Sequence, residues 1–301
     1  MRRLATVAVA LALAAFQPAR ADLKVFACEP EWGALATEIG GAHVDVYTAT
    51  NGLQDPHQVQ ARPSLIAKAR AADIAVCTGA ELEIGWMPQI VQQAANPQVT
   101  PGAPGYFEAT SFVQLLDKPA VLDRSQGDIH AYGNPHIQTD PRYVLFVAKP
   151  LAERFAEIDP ANAAAYQANY ADFAQRFQAA IDMWQAEAAP LQGLPIAVQH
   201  KSWVYMLTWL GLKEVVALEP KPGVPPSSGY LARVVDTLQR QPVKMVIRAA
   251  YEDPRSSDFI NERLGVPAVM LPFTVGGTDK ASDLVSLYQD TIDRLLGALS
   301  K

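Results

Sequence analysis

A helical stretch without breakers, flanked by two series of alternating strand and helix patterns, most constrains the fold of this chain. Ala161 to Ala189 contains no Gly or Pro, and its large apolar side chains recur at helical spacing. About 30 helical residues span roughly 45 Å, the width of a domain. Strand–helix–strand order on both sides predicts parallel sheets with right-handed crossovers. We therefore predict an α/β protein of two (β/α) lobes with parallel sheets, joined by one long rigid interlobe helix. The alternative is an amphipathic surface helix of a single domain.

The first 21 residues have the composition of an export signal. Arg2 and Arg3 precede an apolar run, residues 4–16, that is too short to span a bilayer. Ala19-Arg20-Ala21 then forms a small-x-small cleavage site. We predict a periplasmic mature protein without a membrane span. The predicted divisions are a signal peptide at residues 1–21, an N-terminal lobe at 22–158, the long connecting helix at 159–189 and a C-terminal lobe at 190–301.

The mature chain is predicted to be acidic. The full sequence has 25 Lys and Arg against 31 Asp and Glu, a net charge of −6. Removal of the signal deletes three arginines and no acids, which leaves 22 against 31 and a net charge of −9. An acidic chain without a basic run argues against a nucleic-acid partner. It is compatible with the collection of cations, and about 280 residues are enough for two domains.

The two cysteines, Cys28 and Cys77, each end a predicted strand. In an oxidising compartment a single pair suggests one disulfide, and the sulfurs meet if the two strands are neighbours. Two buried thiols are the alternative. A soft-metal site is the least favoured interpretation, because no further sulfur ligand stands close in sequence.

Three histidines and one aspartate lie on loops beside predicted strands: His57, His136, His200 and Asp279. Pro135 bars a regular helix, so His136 is presented from a fixed turn. Ligands gather at such loops in open α/β sheets. Three imidazoles and a carboxylate fit a tetrahedral divalent site, and imidazole suits zinc. For each histidine taken alone, the alternative is a loop or core residue that binds nothing.

Two further polar residues have possible roles near this site, and a third, His43, does not. His130 precedes His136 on the same loop, and we interpret it either as an additional metal-facing imidazole, a gate or a capture site, or as a solvated loop residue. Glu252 follows a predicted strand and competes with Asp279 for the carboxylate role, for which Asp279 is favoured. His43 starts a predicted strand and is expected at the surface.

Motifs along the whole mature chain resemble those of the metal-binding receptors of bacterial zinc and manganese ABC transporters. The matching segments are Asp55-Pro56-His57 with Pro63-Ser64 for a first ligand, Gly133-Asn134-Pro135-His136 with Asp140-Pro141 for a second, Asp159-Pro160-Ala161-Asn162-Ala163 for the start of the interlobe helix, His200 before Trp203 and Tyr205 for a third ligand, and Gly276-Gly277-Thr278-Asp279 for the carboxylate.

The resemblance implies two lobes with a metal at their interface, and delivery of that metal to a membrane permease powered by an ATPase. Manganese-type members tend to replace one histidine with a second carboxylate. His200 at the third position therefore favours a zinc-type receptor, with manganese as the runner-up. Many zinc-type members also carry a histidine-rich loop, which this chain lacks. We expect a monomeric receptor and not an enzyme.

Two other functions use a similar metal site. An exported zinc hydrolase would need an open coordination position and a general base. The chain has no His-Glu-x-x-His helix and no Ser or Cys nucleophile motif. A periplasmic zinc metallochaperone that never meets a permease is barely distinguishable from a receptor at the level of sequence.

Overall fold

The computed structural model describes residues 22–119, 127 and 130–300. The signal peptide predicted for residues 1–21 lies outside the described residues. The strands are β1 (Leu23–Ala27), β2 (Val44–Thr48), β3 (Ile74–Cys77), β4 (Tyr106–Glu108), β5 (Pro195–Val198), β6 (Lys213–Ala217), β7 (Val246–Ala249) and β8 (Ala268–Leu271). The helices are α1 (Pro30–Gly40), α2 (Pro63–Ala71), α3 (Met87–Ala94), α4 (Pro141–Ile158), α5 (Ala163–Glu187), α6 (Val204–Leu210), α7 (Ser228–Arg240), α8 (Arg255–Leu264) and α9 (Leu284–Leu299).

The strands form two four-stranded parallel sheets, one before and one after α5. The first has the order β2-β1-β3-β4 and the second the order β6-β5-β7-β8. This arrangement confirms the predicted α/β fold. The short strand β4 has no counterpart in the sequence prediction, because its three residues follow a loop rich in Pro and Gly and are too few to show a period.

The central strands are buried on both faces because helices cover both sides of each sheet. In β1, Val25 and Ala27 belong to the largest buried cluster, whereas Phe26 and the following Cys28 belong to a second cluster on the other face. The largest cluster also contains Ile196 of β5. The cores of the two sheets are therefore continuous, which holds the two halves of the chain together.

Helix α5 joins the two halves and contacts both. It has 25 residues, about 38 Å at 1.5 Å per residue. It is shorter than the predicted 159–189 because a 3-10 turn, Pro160–Asn162, precedes it and another, Ala189–Leu191, follows it. Its Tyr166 packs edge-on against Phe155 of α4. One helix face thus packs on the N-terminal half and, through the rings of Phe177 and Trp184 against Tyr288 of α9, on the C-terminal half.

Cys28 and Cys77 form a disulfide, as predicted from the strands that they end. β1 and β3 are hydrogen-bonded neighbours with Ala27 opposite Val76. The residues one step further on are therefore also side by side, with a Cα–Cα distance of 4.8 Å. Among the described residues, no helix has the combined length and apolar character needed to cross a membrane.

Candidate metal centre

Three of the predicted ligands lie together where loops from the two sheets meet. His57 is in the loop between β2 and α2, His136 stands just before α4, and His200 follows β5. One ligand nitrogen from each lies within 4.8 Å of the other two. The ring centroids are 5.1 Å apart for His57 and His136, 5.8 Å for His57 and His200, and 5.9 Å for His136 and His200.

The side chain of Asp55 holds His57 in place. Its Oδ1 accepts hydrogen bonds from the backbone N and from Nδ1 of His57, both at 2.9 Å. Burial raises the pKa of Asp55, but the hydrogen bond and the charge of His57 outweigh it and lower the pKa below its usual range. The indole of Trp86 donates to the Pro56 carbonyl and anchors the loop. Nδ1 of His57 is therefore engaged, and its Nε2 faces the cluster.

A tight turn presents His136 and connects it to the other half of the chain. Gly133 has φ of 127°, and a Cβ there would stand 2.8 Å from the Leu116 carbonyl oxygen, so this position requires glycine. Asn134 Oδ1 accepts from the His136 backbone N at 3.0 Å, while its Nδ2 donates to the Lys201 carbonyl at 2.7 Å. The same amide side chain thus orients one histidine and links its loop to the residue that follows His200.

His136 is the most buried of the three, with 1% of its surface exposed. Burial lowers its pKa well below the usual range, and the neighbouring His57 and His200 lower it further. The imidazole is therefore neutral at pH 7. Its Nδ1 is buried without a hydrogen-bond partner among the described residues. A buried lone pair or N–H without a partner is costly, so this ring is suited to receive a ligand rather than to stabilise the empty fold.

Glu219, just after β6, orients His200. Its Oε2 accepts from Nδ1 of His200 at 2.7 Å and from the backbone N of Gly223 at 2.9 Å. Burial lowers the pKa of His200, but the hydrogen bond and charge of Glu219 outweigh burial and raise that pKa above its usual value. An acceptor of this kind fixes which ring nitrogen remains free for a metal.

His130 also lies at the cluster. Its Nε2 is 3.3 Å from Nε2 of His57, and its ring centroid is 6.2 Å from that of His136. Burial, together with the charges of His57 and His200, lowers the pKa of His130 to about 3. The imidazole is half-buried and neutral, so the solvated loop residue considered from sequence is not what the structure shows.

The two candidate carboxylates occupy different surroundings. Asp279 is exposed in a turn after β8, where the neighbouring Thr278 donates to Asp290 of α9 at 2.6 Å and draws the turn toward that helix. Glu252 lines a cavity of about 580 Å³ together with His57 and His200. Within the described chain, neither carboxylate offers an oxygen within 4.8 Å of all three clustered histidines. The structure therefore does not bring Asp279 to the site that the sequence assigned to it.

Of the two carboxylates, Glu252 has the surroundings that are more typical of a binding site. Burial raises its pKa to about 7, against the opposing charge of His200. Its Oε2 accepts from the Ala249 backbone N at 2.6 Å, and its Oε1 is buried without a hydrogen-bond partner in the described residues. A second cavity, of about 450 Å³, is lined by His130, His136 and Glu219. His200 lines both cavities.

The sequence analysis missed Asp55, Asn134 and Glu219 as the groups that orient the histidines. Glu219 had a detectable signal, because it follows β6 and His200 follows β5, and consecutive strands are often neighbours in a sheet. Together, the described residues supply three converged imidazoles and a fourth beside them. Imidazole nitrogens are common ligands of divalent transition metals.

Comparison with known proteins identifies the family. The model of the family described as "Zinc-uptake complex component A periplasmic" (ZnuA) matches residues 25–300. The chain belongs to this family. It is a metal-binding substrate-binding protein of an ABC transporter, and proteins of this kind work with a membrane permease. The family is one of transport receptors and not of enzymes.

Relatives of both metal types are similar to the chain. The high-affinity zinc uptake protein ZnuA of Paracoccus denitrificans is 25% identical over 285 residues, covering 83% of this chain and 82% of that protein. The manganese ABC transporter substrate-binding lipoprotein PsaA of Streptococcus anginosus is 21% identical over 291 residues, covering 93% and 90%. Family membership therefore leaves the choice between zinc and manganese open.

Solved structures share the fold. A crystal structure of ZnuA has a TM-score of 0.74 at 23% identity and covers 91% of this chain and 99% of its own. The substrate-binding protein FpvC of Pseudomonas aeruginosa in complex with Mn²⁺ has a TM-score of 0.77 at 21% identity, with 92% and 98% covered. The two-sheet architecture joined by a long helix is thus that of the family.

Proposed function

We propose that this protein is the zinc receptor of an ABC importer, which captures zinc in the periplasm and delivers it to the permease. The observation that carries the proposal is the convergence of His57, His136 and His200 within 4.8 Å, from loops of both halves of the chain. Nitrogen donors favour zinc over manganese, which prefers carboxylate, carbonyl and water oxygens. The zinc-uptake relative from Paracoccus denitrificans supports the same choice.

The described hydrogen bonds support three metal-ready imidazoles. His57 and His200 each direct Nδ1 to a carboxylate, which leaves Nε2 for the metal. His136 is neutral through burial. Zinc binding requires neutral imidazoles, so affinity falls in acid as the histidines become protonated. The carboxylate ligand predicted from sequence, Asp279 or Glu252, remains part of the proposal to be tested.

Release is proposed to involve local loop movement rather than wide closure of the lobes. The continuous core and α5, which packs on both halves, support a rigid arrangement. Small-angle scattering of the metal-free and zinc-loaded protein tests the rigid arrangement, since a large difference between the two curves would contradict it.

The proposal also includes a division into lobes at residues 22–158 and 190–301, cleavage of the signal after residue 21, and a monomeric receptor.

The deciding experiment combines native mass spectrometry with competition titration of zinc and manganese. We expect one zinc per chain, with manganese unable to displace it. His57→Ala, His136→Ala and His200→Ala should each weaken zinc binding beyond the roughly 10–100-fold that loss of a supporting hydrogen bond costs. His43→Ala is the matched control, because His43 packs edge-on against Tyr166 of α5 and is not one of the clustered histidines. Unchanged zinc binding in the cluster variants would refute the site.

The runner-up is a manganese receptor of the same family, which the manganese-type relative favours. The same titration separates the two receptors, since manganese that competes equally with zinc would support the manganese receptor.

A zinc metallochaperone or an exported zinc hydrolase uses the same ligands for another purpose. If the protein restores zinc uptake to cells from which its gene has been deleted, the result supports the receptor. Turnover of esters or peptides by the zinc-loaded protein would support the hydrolase.

A further inference from the structure

We infer that His130 is a fourth nitrogen ligand of the same metal, so that the cargo is held by four imidazoles and by no carboxylate. The inference rests on the proposed function, because it concerns the same site. It selects the metal-facing role among those considered for His130 from sequence, and it replaces Asp279, which completes the coordination in that prediction. The evidence is the position of the His130 ring beside His57 and the turn that lies next to its backbone.

The separation of His57 and His130 equals one edge of a tetrahedral zinc site. Zinc–nitrogen bonds of about 2.0–2.1 Å at tetrahedral angles place two ligand nitrogens about 3.3–3.4 Å apart. The Nε2 atoms of His57 and His130 are 3.3 Å apart. This pair therefore already has the spacing of two ligands of one ion. Binding by all four rings requires His130 to move toward His136 and His200, because among the described residues only His57, His136 and His200 have ligand nitrogens all within 4.8 Å of one another.

The free lone pair of His57 faces His130. His57 donates its Nδ1 hydrogen to Asp55 at 2.9 Å, which leaves Nε2 unprotonated in the neutral ring. The Nε2 atom of His130 is 3.3 Å from this nitrogen. A contact of this length between two imidazoles is bridged by a ring proton or by a cation, and a bound metal ion would take the place of the proton.

An unusual turn lies beside the backbone of His130. Gly79, Ala80 and Glu81 have consecutive positive φ angles of 82°, 49° and 68°. Residues with a Cβ rarely adopt this conformation, and when they do it is often at a functional site. The Glu83 carboxylate secures the turn by accepting from the backbone N of Thr78 at 2.7 Å and of Gly79 at 3.1 Å.

The same turn also fixes the backbone beside His130. Glu81 Oε2 accepts from the backbone N of Ala131 at 2.9 Å. The main chain next to His130 is therefore tied to this short segment, which keeps His130 beside the clustered histidines.

The carboxylates are less well placed for the fourth position. Glu252 is bound to its own turn through the Ala249 amide, although its Oε1 has no hydrogen-bond partner in the described residues, and Asp279 is exposed next to Thr278, which is bound to α9. His130, like the two carboxylates, lies outside the group of three histidines, but its Nε2 is already 3.3 Å from that of His57. A site of four imidazoles predicts which metal ions the protein binds. It favours zinc and the nitrogen-preferring ions nickel, cobalt(II) and copper(II), and it discriminates against manganese.

X-ray absorption of the zinc-loaded full mature chain tests the inference directly, because multiple scattering from the rings counts imidazoles. We expect four imidazole nitrogens in the wild type and three in His130→Gln. In competition titrations, His130→Gln should lower zinc affinity by about tenfold or more and narrow the preference for zinc over manganese. His43→Gln is the matched control and should change nothing.

The outcomes separate this inference from the proposed function. A wild type that binds zinc through three imidazoles overturns the assignment of His130 but leaves the receptor intact. A wild type that binds no zinc overturns the receptor. If Glu252→Gln or Asp279→Asn weakens zinc binding while His130→Gln does not, a carboxylate is the fourth ligand and the inference is wrong. The wild-type count needs no variant, so a misfolded variant does not remove the test.

Discussion

Glu219→Gln isolates the effect of one carboxylate on the metal affinity of His200. Glu219 Oε2 accepts from His200 Nδ1 at 2.7 Å and from the backbone N of Gly223 at 2.9 Å, and 16% of its side chain is exposed. Glutamine keeps an acceptor oxygen and nearly the same shape, so the loop that follows β6 should remain in place. The substitution removes the charge and little else.

The expected loss follows from the difference between charged and neutral hydrogen bonds. A hydrogen bond to a charged group contributes about 1.5–3 kcal/mol and one between neutral groups about 0.5–1.5 kcal/mol. The difference, about 1–1.5 kcal/mol, corresponds to about a tenfold loss of zinc affinity. It falls at the lower end of the roughly 10–100-fold losses known for groups that support metal-binding histidines. This magnitude applies above the raised pKa of His200, where the imidazole is neutral.

The loss should be smaller at pH 6. Burial lowers the pKa of His200, but Glu219 outweighs it and raises the pKa above its usual value of about 6.5. At pH 6 the wild-type imidazole is therefore largely protonated when no metal is bound, and protons compete with zinc. Glutamine lowers the pKa of His200 and weakens that competition. Part of the lost metal affinity is thus recovered in acid.

Competition with a chromogenic zinc chelator at pH 8 and pH 6 measures both losses. Glu214→Gln is the matched control, because Glu214 also lies on β6 but its carboxylate is 4.0 Å from Lys201 rather than bound to a histidine. Equal losses for Glu219→Gln at the two pH values would refute the proton competition. A loss of the same size in Glu214→Gln would refute the role of the hydrogen bond.

Three further predictions concern stability. Burial raises the pKa of Glu83 from 4.5 to about 7, so the free energy of unfolding should fall by about 3 kcal/mol as pH rises between these two values. In Glu83→Gln, urea unfolding at pH 5 and pH 8 should show a smaller difference. The Cys28–Cys77 disulfide closes a loop with a sequence separation of 49, so its reduction should cost about 4 kcal/mol in denaturant unfolding. Phe177→Ala removes a fully buried ring of α5 and should cost about 3–5 kcal/mol, whereas Met183→Ala, 46% exposed on the same helix, should cost about 0.5 kcal/mol or less.

Each of these has a result that contradicts it. A mutant at Glu83 with the wild-type slope of stability against pH would show that its proton uptake is not linked to folding. Unfolding curves that coincide with and without reductant would show that the disulfide does not restrict the unfolded chain. Equal losses for the two α5 variants would show that the buried face of the helix is not what joins the two halves.

The local features of the chain were predictable because they arise from neighbouring residues. Apolar periodicity predicted the strands and helices, and the absence of Gly and Pro predicted α5. The disulfide followed from strand order, since Cys28 and Cys77 end two strands that proved to be neighbours. β4 was missed because three residues beside a Pro-rich loop contain too little pattern.

The sequence by itself determined the two-lobed α/β fold, the long helix and which three histidines are candidates for the site. The tertiary structure alone decided which polar groups stand beside them. Strand order β6-β5-β7-β8 places the ends of β6 and β7 on either side of β5, so Glu219 and Glu252 flank His200, whereas Asp279 follows the edge strand and turns toward α9. His130 stands beside the cluster where the next residue, Ala131, bonds Glu81 of the left-handed turn that begins at Gly79. Such proximity depends on contacts between residues distant along the chain, which no local pattern encodes.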